Sequence, residues 1–456
     1  MAATTNAILG ELADHLAGGE VVTDPDLLAE HSGDQAHGAA VGKPLCRVAA
    51  RNADDVVGTL RWASRHRVPV VPRGAGTGLA GGANAVDGCV LLSLDRMNTI
   101  TELSVEDRLA RVEPGVVTAD LERAATEHGL LYGPDPGSAE RSTLGGNLAT
   151  NAGGMRCVRY GVTRDSVLAL EVVLADGRRV ATGSRSTKTV TGYDLSSLFV
   201  GSEGTLGVIT GATLRLRDKP RTPPVSVAAY FRDATAAARA AVAVSRAGLR
   251  LGLLELVDEV ALRTLDEWRS VDLPQPDVAL LLGQTGTAED AVELARVCRR
   301  GGAVAVRIAE DEAEAQALLD VRRLAPGSLE RLGRMLVEDF VVPLSRLPEI
   351  TAEIRRIADE YGVVVGTVAH AGDGNLHPLF LYDRAAEAVP ERVLAAADRM
   401  FRAVLGLGGT LTGEHGVGTM KRHWLRAEIG AAGIDIHRAI KMALDPLGIM
   451  NPGKVI

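Results

Sequence analysis

The sequence predicts an α+β fold divided between two domains, on three observations. Residues 43–218 alternate short apolar strands with glycine-rich loops. A change of composition follows, with three prolines between residues 220 and 224, which is typical of a domain boundary. Beyond it, alanine-rich helical stretches lie among further strands, a pattern that favours helices covering an antiparallel sheet.

The expected organisation has four parts. These are a polar helical segment, a first domain, a second domain with the antiparallel sheet, and a less regular tail expected to return to the first domain, at residues 1–42, 43–218, 219–412 and 413–456. In the first domain, Asn52 is a candidate N-cap for the helix in "NADDVVGTLRWASRHR". "VPVVP", "VLLSL" and "TLGVITGATLRLR" predict strands, and Asp176-Gly177 predicts a hairpin turn.

Composition excludes several classes of protein. Net charge is −8 with scattered basic residues, which argues against a nucleic-acid-binding protein. The start, "MAATTNAILGELADHL", reads as a helix and not as a signal peptide, and no stretch of 18 uncharged apolar residues appears, so we expect a cytoplasmic protein. The four cysteines lie far apart and form no C-x-x-C pair, which argues for reduced thiols and against a cysteine-ligated cluster.

The stretch "PRGAGTGLAGGANAVDGCVLLSLD" contains a G-x-G-x-x-G pattern at Gly76, Gly78 and Gly81. A dinucleotide-binding Rossmann loop must open a helix, yet only six residues separate Gly82 from the next predicted strand. The glycines still allow consecutive backbone N–H groups to turn towards one anion, to which Arg73 adds a positive charge. A flexible surface loop remains the alternative reading of this stretch by itself.

Two further glycine-rich blocks follow, "GPDPGSAERSTLGGNLATNAGG" at 133–154 and "FVGSEGTLGVIT" at 199–210. Small residues let the backbone lie flat against a large planar ligand. Three such blocks, separated by predicted strands, therefore favour a ligand-binding surface over idle linkers.

A histidine pair occurs in the second domain. "GVVVGTVAH" and "LHPLFLY" read as strands with "AGDGN" as the turn, so we expect His370 and His377 to face each other at a strand end. Two neutral imidazoles with a carboxylate, for which Glu414 is the candidate, can ligate one divalent ion. From spacing alone, two turn histidines and a helix-start glutamate remain equally open.

The motifs together resemble the D-2-hydroxyacid dehydrogenases of the vanillyl-alcohol-oxidase (PCMH-type) flavoprotein superfamily, which include the glycolate oxidase flavin subunit. "PRGAGTGLAGG", "TLGGNLATNAGG", "TGYDL", "GSEGTLGVIT", "HAGDGNLHP", "GEHGVG" and "NPGK" occur in the family's order, so the resemblance covers nearly the whole chain. It implies two α+β subdomains that hold an extended FAD, with an α+β substrate domain beside them.

The resemblance also implies the FAD contacts. The diphosphate would lie on the first loop, the ribityl chain and isoalloxazine on the second block, the adenine half on the third, and the tail would return to the flavin. In that order the residues are Pro72, Arg73, Gly74, Ala75, Gly76, Thr77, Gly78 and Leu79; Ser142, Thr143, Gly145, Asn147 and Gly153; Glu203, Gly207 and Ile209; and Asn451. Some members of the superfamily attach flavin to a histidine where this chain has Thr77, so we expect non-covalent FAD.

For the histidines, the resemblance implies a metal site of His370, His377 and Glu414, holding zinc, manganese or iron, with open positions for the substrate's carboxylate and hydroxyl. His415 would be the base. Oxidation of an α-hydroxy acid removes the hydroxyl proton and passes a hydride from Cα to flavin N5; metal coordination lowers the hydroxyl pKa, and a neutral imidazole can then take the proton.

Arg322 matches the family's carboxylate-binding arginine, although a solvated helix arginine is the alternative reading. The chain departs from dicarboxylate-specific relatives nearby: Pro326, Leu379 and Val337 stand where those relatives place Thr, Asn and Lys. We therefore expect a short substrate, glycolate or D-lactate, with D-2-hydroxyglutarate as the alternative.

Two readings from other classes stay open. A metal-dependent hydrolase would use two histidines and a glutamate but leaves the glycine blocks unexplained, and a non-catalytic flavoprotein subunit would not need His415. The electron acceptor, whether an electron-transfer protein, a cytochrome or a quinone, is not encoded in any motif.

Overall fold

A computed structural model describes residues 2–456, with side chains from residue 7 onward. The helices in chain order are α1 Ala2–Asp14, α2 Pro25–Ser32, α3 Ala53–His66, α4 Thr118–Glu127, α5 Leu144–Thr150, α6 Cys157–Tyr160, α7 Leu195–Phe199, α8 Ala234–Arg246, α9 Glu259–Arg269, α10 Ala288–Arg300, α11 Glu312–Glu330, α12 Leu347–Tyr361, α13 Glu391–Gly406 and α14 Leu425–Leu444. Short 3₁₀ turns occupy Thr163–Ser166, Leu344–Arg346 and Arg422–Trp424.

The strands in chain order are β1 Glu20–Val22, β2 Cys46–Ala49, β3 Val70–Arg73, β4 Val90–Ser93, β5 Ile100–Ser104, β6 Leu109–Val112, β7 Leu130–Leu131, β8 Val167–Val173, β9 Arg179–Gly183, β10 Val208–Arg215, β11 Arg217–Asp218, β12 Val225–Phe231, β13 Leu251–Val257, β14 Ala279–Thr285, β15 Ala305–Ile308, β16 Arg334–Val337, β17 Phe340–Val341, β18 Val364–His370 and β19 Asn375–Tyr382. The mixture of helices and antiparallel sheets confirms the predicted α+β class.

The chain divides into two compact units. Unit 1 comprises 1–153, 161–219 and 414–456, and unit 2 comprises 154–160 and 220–413. The assignment of 154–160 to unit 2 was not foreseen, because nothing in that local sequence marks a change of domain. Residues 1–42 belong to unit 1, where β1 pairs with β2. The tail is more regular than expected, since α14 runs through it with a kink at Gly430.

Unit 1 contains a four-stranded sheet in the order β1-β2-β4-β3 and a five-stranded antiparallel sheet in the order β5-β6-β10-β8-β9. Asn52 caps α3 by accepting a hydrogen bond from the Asp55 N–H, as predicted. The hairpin at Asp176-Gly177 joins β8 to β9. Trp62 and Tyr132, both fully buried, lie in the apolar cores of the two sheets respectively.

Unit 2 is built on an eight-stranded antiparallel sheet, in the order β15-β12-β14-β13-β18-β19-β16 with β17 also paired to β19. The two alanine-rich stretches form α8 and α12, each with a buried apolar face. β18 and β19 form the hairpin expected around "AGDGN". None of the described helices is long and apolar enough to cross a membrane. No disulfide links the four cysteines within the described chain.

Candidate active site

A cavity of about 380 Å³ lies in unit 1, and all three glycine-rich blocks line it. Its walls include residues predicted from the family motifs: Pro72, Arg73, Gly74, Ala75, Gly76, Thr77, Gly78, Leu79, Thr143, Gly145, Asn147, Gly153, Glu203, Gly207 and Ile209. Two predicted contacts, Ser142 and Asn451, lie outside the lining. The Ser142 carbonyl accepts a hydrogen bond from the Thr118 N–H, and the Asn451 amide donates to the carbonyls of Gly82 and Glu203.

The glycines of this cavity are required by close approach of other chain segments. A Cβ on Gly145 would lie 2.6 Å from the Cβ of Pro114 and 2.9 Å from its carbonyl oxygen. Gly76 has a φ of 70°, and a Cβ there would meet the Arg73 guanidinium. The site is therefore a backbone cradle, which is what the binding of a dinucleotide without a Rossmann helix requires.

The Arg73 side chain contacts backbone carbonyls, whereas the sequence suggested that it offers its charge to a bound anion. Its guanidinium is buried and donates to the carbonyl oxygens of Gly33 at 2.8 Å and Ala83 at 3.4 Å. Burial lowers the pKa of Arg73. The side chain thus fastens the first glycine loop to the segment before it, and the polar atoms it offers to a ligand are fewer than the sequence suggested.

Glu203 lies in the cavity wall with its carboxylate buried. It accepts hydrogen bonds from the backbone N–H groups of Val417 at 2.7 Å and of Gly418 at 2.9 Å. Burial raises its pKa to about 7, against the lowering effect of those two bonds. The residue predicted to hold the adenine half therefore also binds the loop that carries Glu414 and His415.

Glu414 and His415 themselves line the same cavity. The His415 Nε2 lies 3.8 Å from the Glu414 Oε1, and both side chains are about 15% exposed, at 14% and 15% respectively. A partly buried imidazole at the wall of this cavity can accept a proton from a ligand that reacts there.

In unit 2, His370 and His377 lie on the β18-β19 hairpin. The sequence suggested that they lie opposite each other. In the structure they do not pair directly: His370 pairs with Asn375 and His377 with Val368. Their pairs are two steps apart in the ladder, so the two side chains share a face, and the rings lie 5.1 Å apart between centroids at an angle of 82°. Both histidines are buried, which distinguishes them from solvated turn residues.

A buried carboxylate orients His370. Glu255, on the neighbouring strand β13, accepts a hydrogen bond from the Nδ1 of His370 at 2.8 Å and one from the Nε of Arg322 at 2.8 Å. This pairing leaves the His370 Nε2 as the atom for a ligand bond, an arrangement common around metal-binding histidines. It also means that Arg322, predicted to grip the substrate, is a buried helix residue that neutralises Glu255.

Asp339 is a second buried carboxylate in this region, close to His377. One carboxylate oxygen lies 3.7 Å from the Nδ1 of His377, and the other accepts hydrogen bonds from the Thr412 hydroxyl at 2.6 Å and the Gly413 N–H at 2.8 Å. Glu255 and Asp339 were not identified from the sequence. The available signal was the presence of carboxylates inside apolar runs, one in "LGLLELV" and two in "VEDFVV", because a buried charge needs a partner.

Comparisons with known proteins identify the family of the chain. Residues 44–183 match the FAD binding domain family, and 222–455 match the family of FAD linked oxidases, C-terminal domain. The chain is 43% identical over 418 residues to the Bacillus subtilis protein named glycolate oxidase subunit GlcD, covering 90% of this chain and 89% of that one. The Escherichia coli K12 protein of the same name is 35% identical, with 99% and 91% covered.

A third relative, the probable mitochondrial D-lactate dehydrogenase of Danio rerio, is 36% identical, with 92% of this chain and 87% of that one covered. Among solved structures, p-cresol methylhydroxylase with substrate bound superposes with a TM-score of 0.80 at 19% identity, covering 99% of this chain and 96% of that one. A 4-ethylphenol oxidase from Gulosibacter chungangensis gives 0.79 at 20%, covering 100% and 97%. The latter two show the PCMH-type fold. The chain belongs to the FAD-linked oxidases and is an FAD-dependent oxidoreductase.

Proposed function

We propose that this protein oxidises a short D-2-hydroxy acid, glycolate or D-lactate, to the corresponding 2-oxo acid. The observation that carries the proposal is that Glu414 and His415 line the cavity formed by the three glycine blocks. A candidate proton acceptor and a flavin cradle therefore belong to one cavity. The names of the relatives, glycolate oxidase subunit and D-lactate dehydrogenase, support this substrate class.

The cavity suits FAD because its walls are largely backbone. Residues 72–79 would hold the diphosphate, and Thr143, Gly145, Asn147 and Gly153 would lie along the ribityl chain and the ring. Bound there, the flavin supplies the hydride acceptor for the substrate's Cα. Thr77 offers no nucleophilic imidazole, so we propose that FAD binds without a covalent bond.

Acid precipitation tests the covalent question directly. All yellow colour should pass into the supernatant when the purified protein is precipitated. Flavin that stays with the pellet would show a covalent bond and contradict this part of the proposal.

We further propose that His370, His377 and Glu414 hold one divalent ion, zinc, manganese or iron. The donor set fits such an ion: two buried imidazoles at right angles, each with a carboxylate near its Nδ1. Glu414 directly follows Gly413, whose N–H the Asp339 carboxylate holds. When bound, the ion supplies a positive charge that favours ionisation of the substrate hydroxyl.

His415 would take the proton from that hydroxyl, because a neutral imidazole is a base at physiological pH. Arg322 would act in two ways: it neutralises Glu255 through its Nε, and its terminal nitrogens would orient the substrate carboxylate. The proton released in the oxidation would thus pass from the substrate hydroxyl to the His415 imidazole.

The proposed size limit on the substrate rests on two apolar neighbours in unit 2. Val337 and Leu379 are paired across β16 and β19; Leu379 belongs to the unit's buried apolar core, and the partly buried Val337 packs against it. Dicarboxylate-specific relatives have Lys and Asn at these places, according to the family motifs. A second carboxylate brought here would find no polar partner, which disfavours D-2-hydroxyglutarate.

The decisive experiment is anaerobic mixing of the FAD-loaded protein with a panel of acids while flavin absorbance is followed. Glycolate and D-lactate should bleach the flavin, L-lactate should not, and D-2-hydroxyglutarate should do so more slowly. Absence of bleaching with every 2-hydroxy acid would overturn the proposal. Activity of the isolated chain with an artificial electron acceptor would also decide against a non-catalytic subunit.

A further inference from the structure

Glu203 lies in the turn between α7 and β10 and is fixed on both sides of its peptide backbone. Its N–H donates to the Ala149 carbonyl at 2.8 Å, and its own carbonyl accepts from the Asn451 side chain at 2.7 Å. Its φ of 50° is unusual for a residue with a side chain. The backbone is therefore held in a conformation that fixes the direction of the Glu203 side chain.

The Glu203 side chain points to the loop Glu414–Gly418, here called the His415 loop. The Glu203 carboxylate accepts the N–H of Val417 on one oxygen and the N–H of Gly418 on the other, at 2.7 and 2.9 Å. Both bonds are to backbone groups, so they fix the path of the loop and not the identity of its side chains. The loop begins with the proposed metal ligand and the proposed base.

Glycines from two segments enclose the carboxylate. A Cβ on Gly82, in the first glycine loop, would lie 2.7 Å from one carboxylate oxygen, and a Cβ on Gly416 would lie 2.8 Å from the other. A second attachment lies beside it, because the Thr419 N–H donates to the Ala80 carbonyl at 2.9 Å. The first glycine loop and the His415 loop are thus joined through Glu203 and Ala80.

We propose that Glu203 is a positioning residue for the reaction: its carboxylate holds the His415 loop against the wall of the flavin cavity and so sets where Glu414 and His415 stand. The inference rests on the proposed function for what those two residues do. It differs from the role in adenine binding that the family motifs imply, because the carboxylate itself is engaged by the loop's amides.

Burial of the carboxylate supports this assignment. A buried carboxyl group is costly unless its oxygens are hydrogen-bonded, and burial raises the pKa of Glu203 to about 7 even with both bonds present. The bonds to Val417 and Gly418 give the charge a structural purpose.

The test is hydrogen exchange of the His415 loop in the FAD-saturated protein, for Glu203→Ala, Glu203→Gln and the control Thr205→Val. Thr205 lies in the same turn, and its hydroxyl bonds to the Ser202 carbonyl without touching the loop. In Glu203→Ala, exchange at Val417 and Gly418 should rise about tenfold or more. Glu203→Gln keeps one oxygen acceptor and should show a smaller rise, and Thr205→Val should show none.

Kinetics supply a second readout. In Glu203→Ala at saturating FAD, kcat should fall while KM for the hydroxy acid changes little, because a displaced base slows the chemical step. Unchanged exchange in both Glu203 variants would overturn the inference, and so would an equal rise in Thr205→Val. The exchange measurement needs no substrate, so a wrong substrate assignment would leave its outcome intact, and the two failures are distinguishable.

Discussion

The glycine cradle of unit 1 and the histidine hairpin of unit 2 are built in opposite ways. The cradle is walled largely by backbone and small residues, and Arg73 fastens its first glycine loop to the Gly33 carbonyl. The hairpin site consists of buried charged side chains, with Arg322 and Glu255 paired beside His370. Under the proposed function, the first region would recognise its ligand through backbone groups beside small residues, and the second would recognise its ligand through buried side chains.

The difference follows from what each region binds under the proposed function. A large dinucleotide offers many polar atoms along its length, which successive backbone N–H groups can satisfy. A small divalent ion needs a few strong ligands with fixed orientation, which carboxylates behind the imidazoles provide. We therefore expect unit 2 to be sensitive to removal of side chains and unit 1 to addition of them.

The largest effect should come from removal of a proposed metal ligand. His377→Ala should abolish substrate oxidation while FAD content is unchanged, because the cradle lies in unit 1. Chelation of the wild-type protein should do the same. Elemental analysis together with flavin absorbance checks both, and His437→Ala, an exposed position on α14, is the control. Full turnover in a preparation shown to be metal-free would contradict the proposed metal site of unit 2.

A somewhat smaller loss is expected from His415→Asn. Loss of a general base costs about 10²–10⁴-fold in rate, and added metal should not restore it. In Glu414→Gln, by contrast, added metal should recover part of the rate. Stopped-flow measurement of flavin reduction is the assay, and the exposed His423 is the matched control position.

The pH profile sharpens this prediction. The wild-type rate should rise with pH as the His415 imidazole loses its proton, because only the neutral ring accepts a proton. That rising limb should disappear in His415→Asn. If His415→Asn reduces flavin at nearly the wild-type rate, His415 is not the base and another group must accept the proton.

Glu255→Gln should have an intermediate effect. It removes the charge behind His370 and leaves Arg322 buried without its counter-ion. Metal affinity should fall about 10–100-fold. Calorimetric titration with the metal measures the affinity. The control is Glu349→Gln, which removes a partner of an exposed ion pair in the same unit. Equal affinities in the two variants would mean that Glu255 does not orient His370 towards a metal.

An effect of about the same size or smaller should come from one added methyl group in the cradle. Gly145→Ala places a Cβ against Pro114, and relief of that contact costs about 1–3 kcal/mol, felt as weaker FAD binding. Gly10→Ala, where a Cβ meets nothing, is the control. Fluorescence titration gives the FAD dissociation constants of the two variants and of the wild-type protein. A Gly145→Ala protein with wild-type affinity would show that the cradle does not depend on its missing side chains.

Much of the fold was predictable because local signals decide it. The Asn52 cap, the hairpin at Asp176-Gly177 and the helices α8 and α12 rest on contacts within a few residues. The tail was harder to predict, because Gly430 interrupts the helical pattern of α14. The position of 154–160 in unit 2 has no local cause at all.

The sequence by itself determined the α+β class, the three glycine blocks and the residues of the histidine hairpin, because spacing and residue type are local properties. Only the tertiary structure decided what the charged residues do. Arg73 turns to the Gly33 carbonyl, Arg322 to Glu255, and Glu203 to the amides of Val417 and Gly418. The physical reason is that a buried charge takes whichever partner the folded chain brings within reach, and those partners lie 40, 67 and more than 200 residues away in sequence.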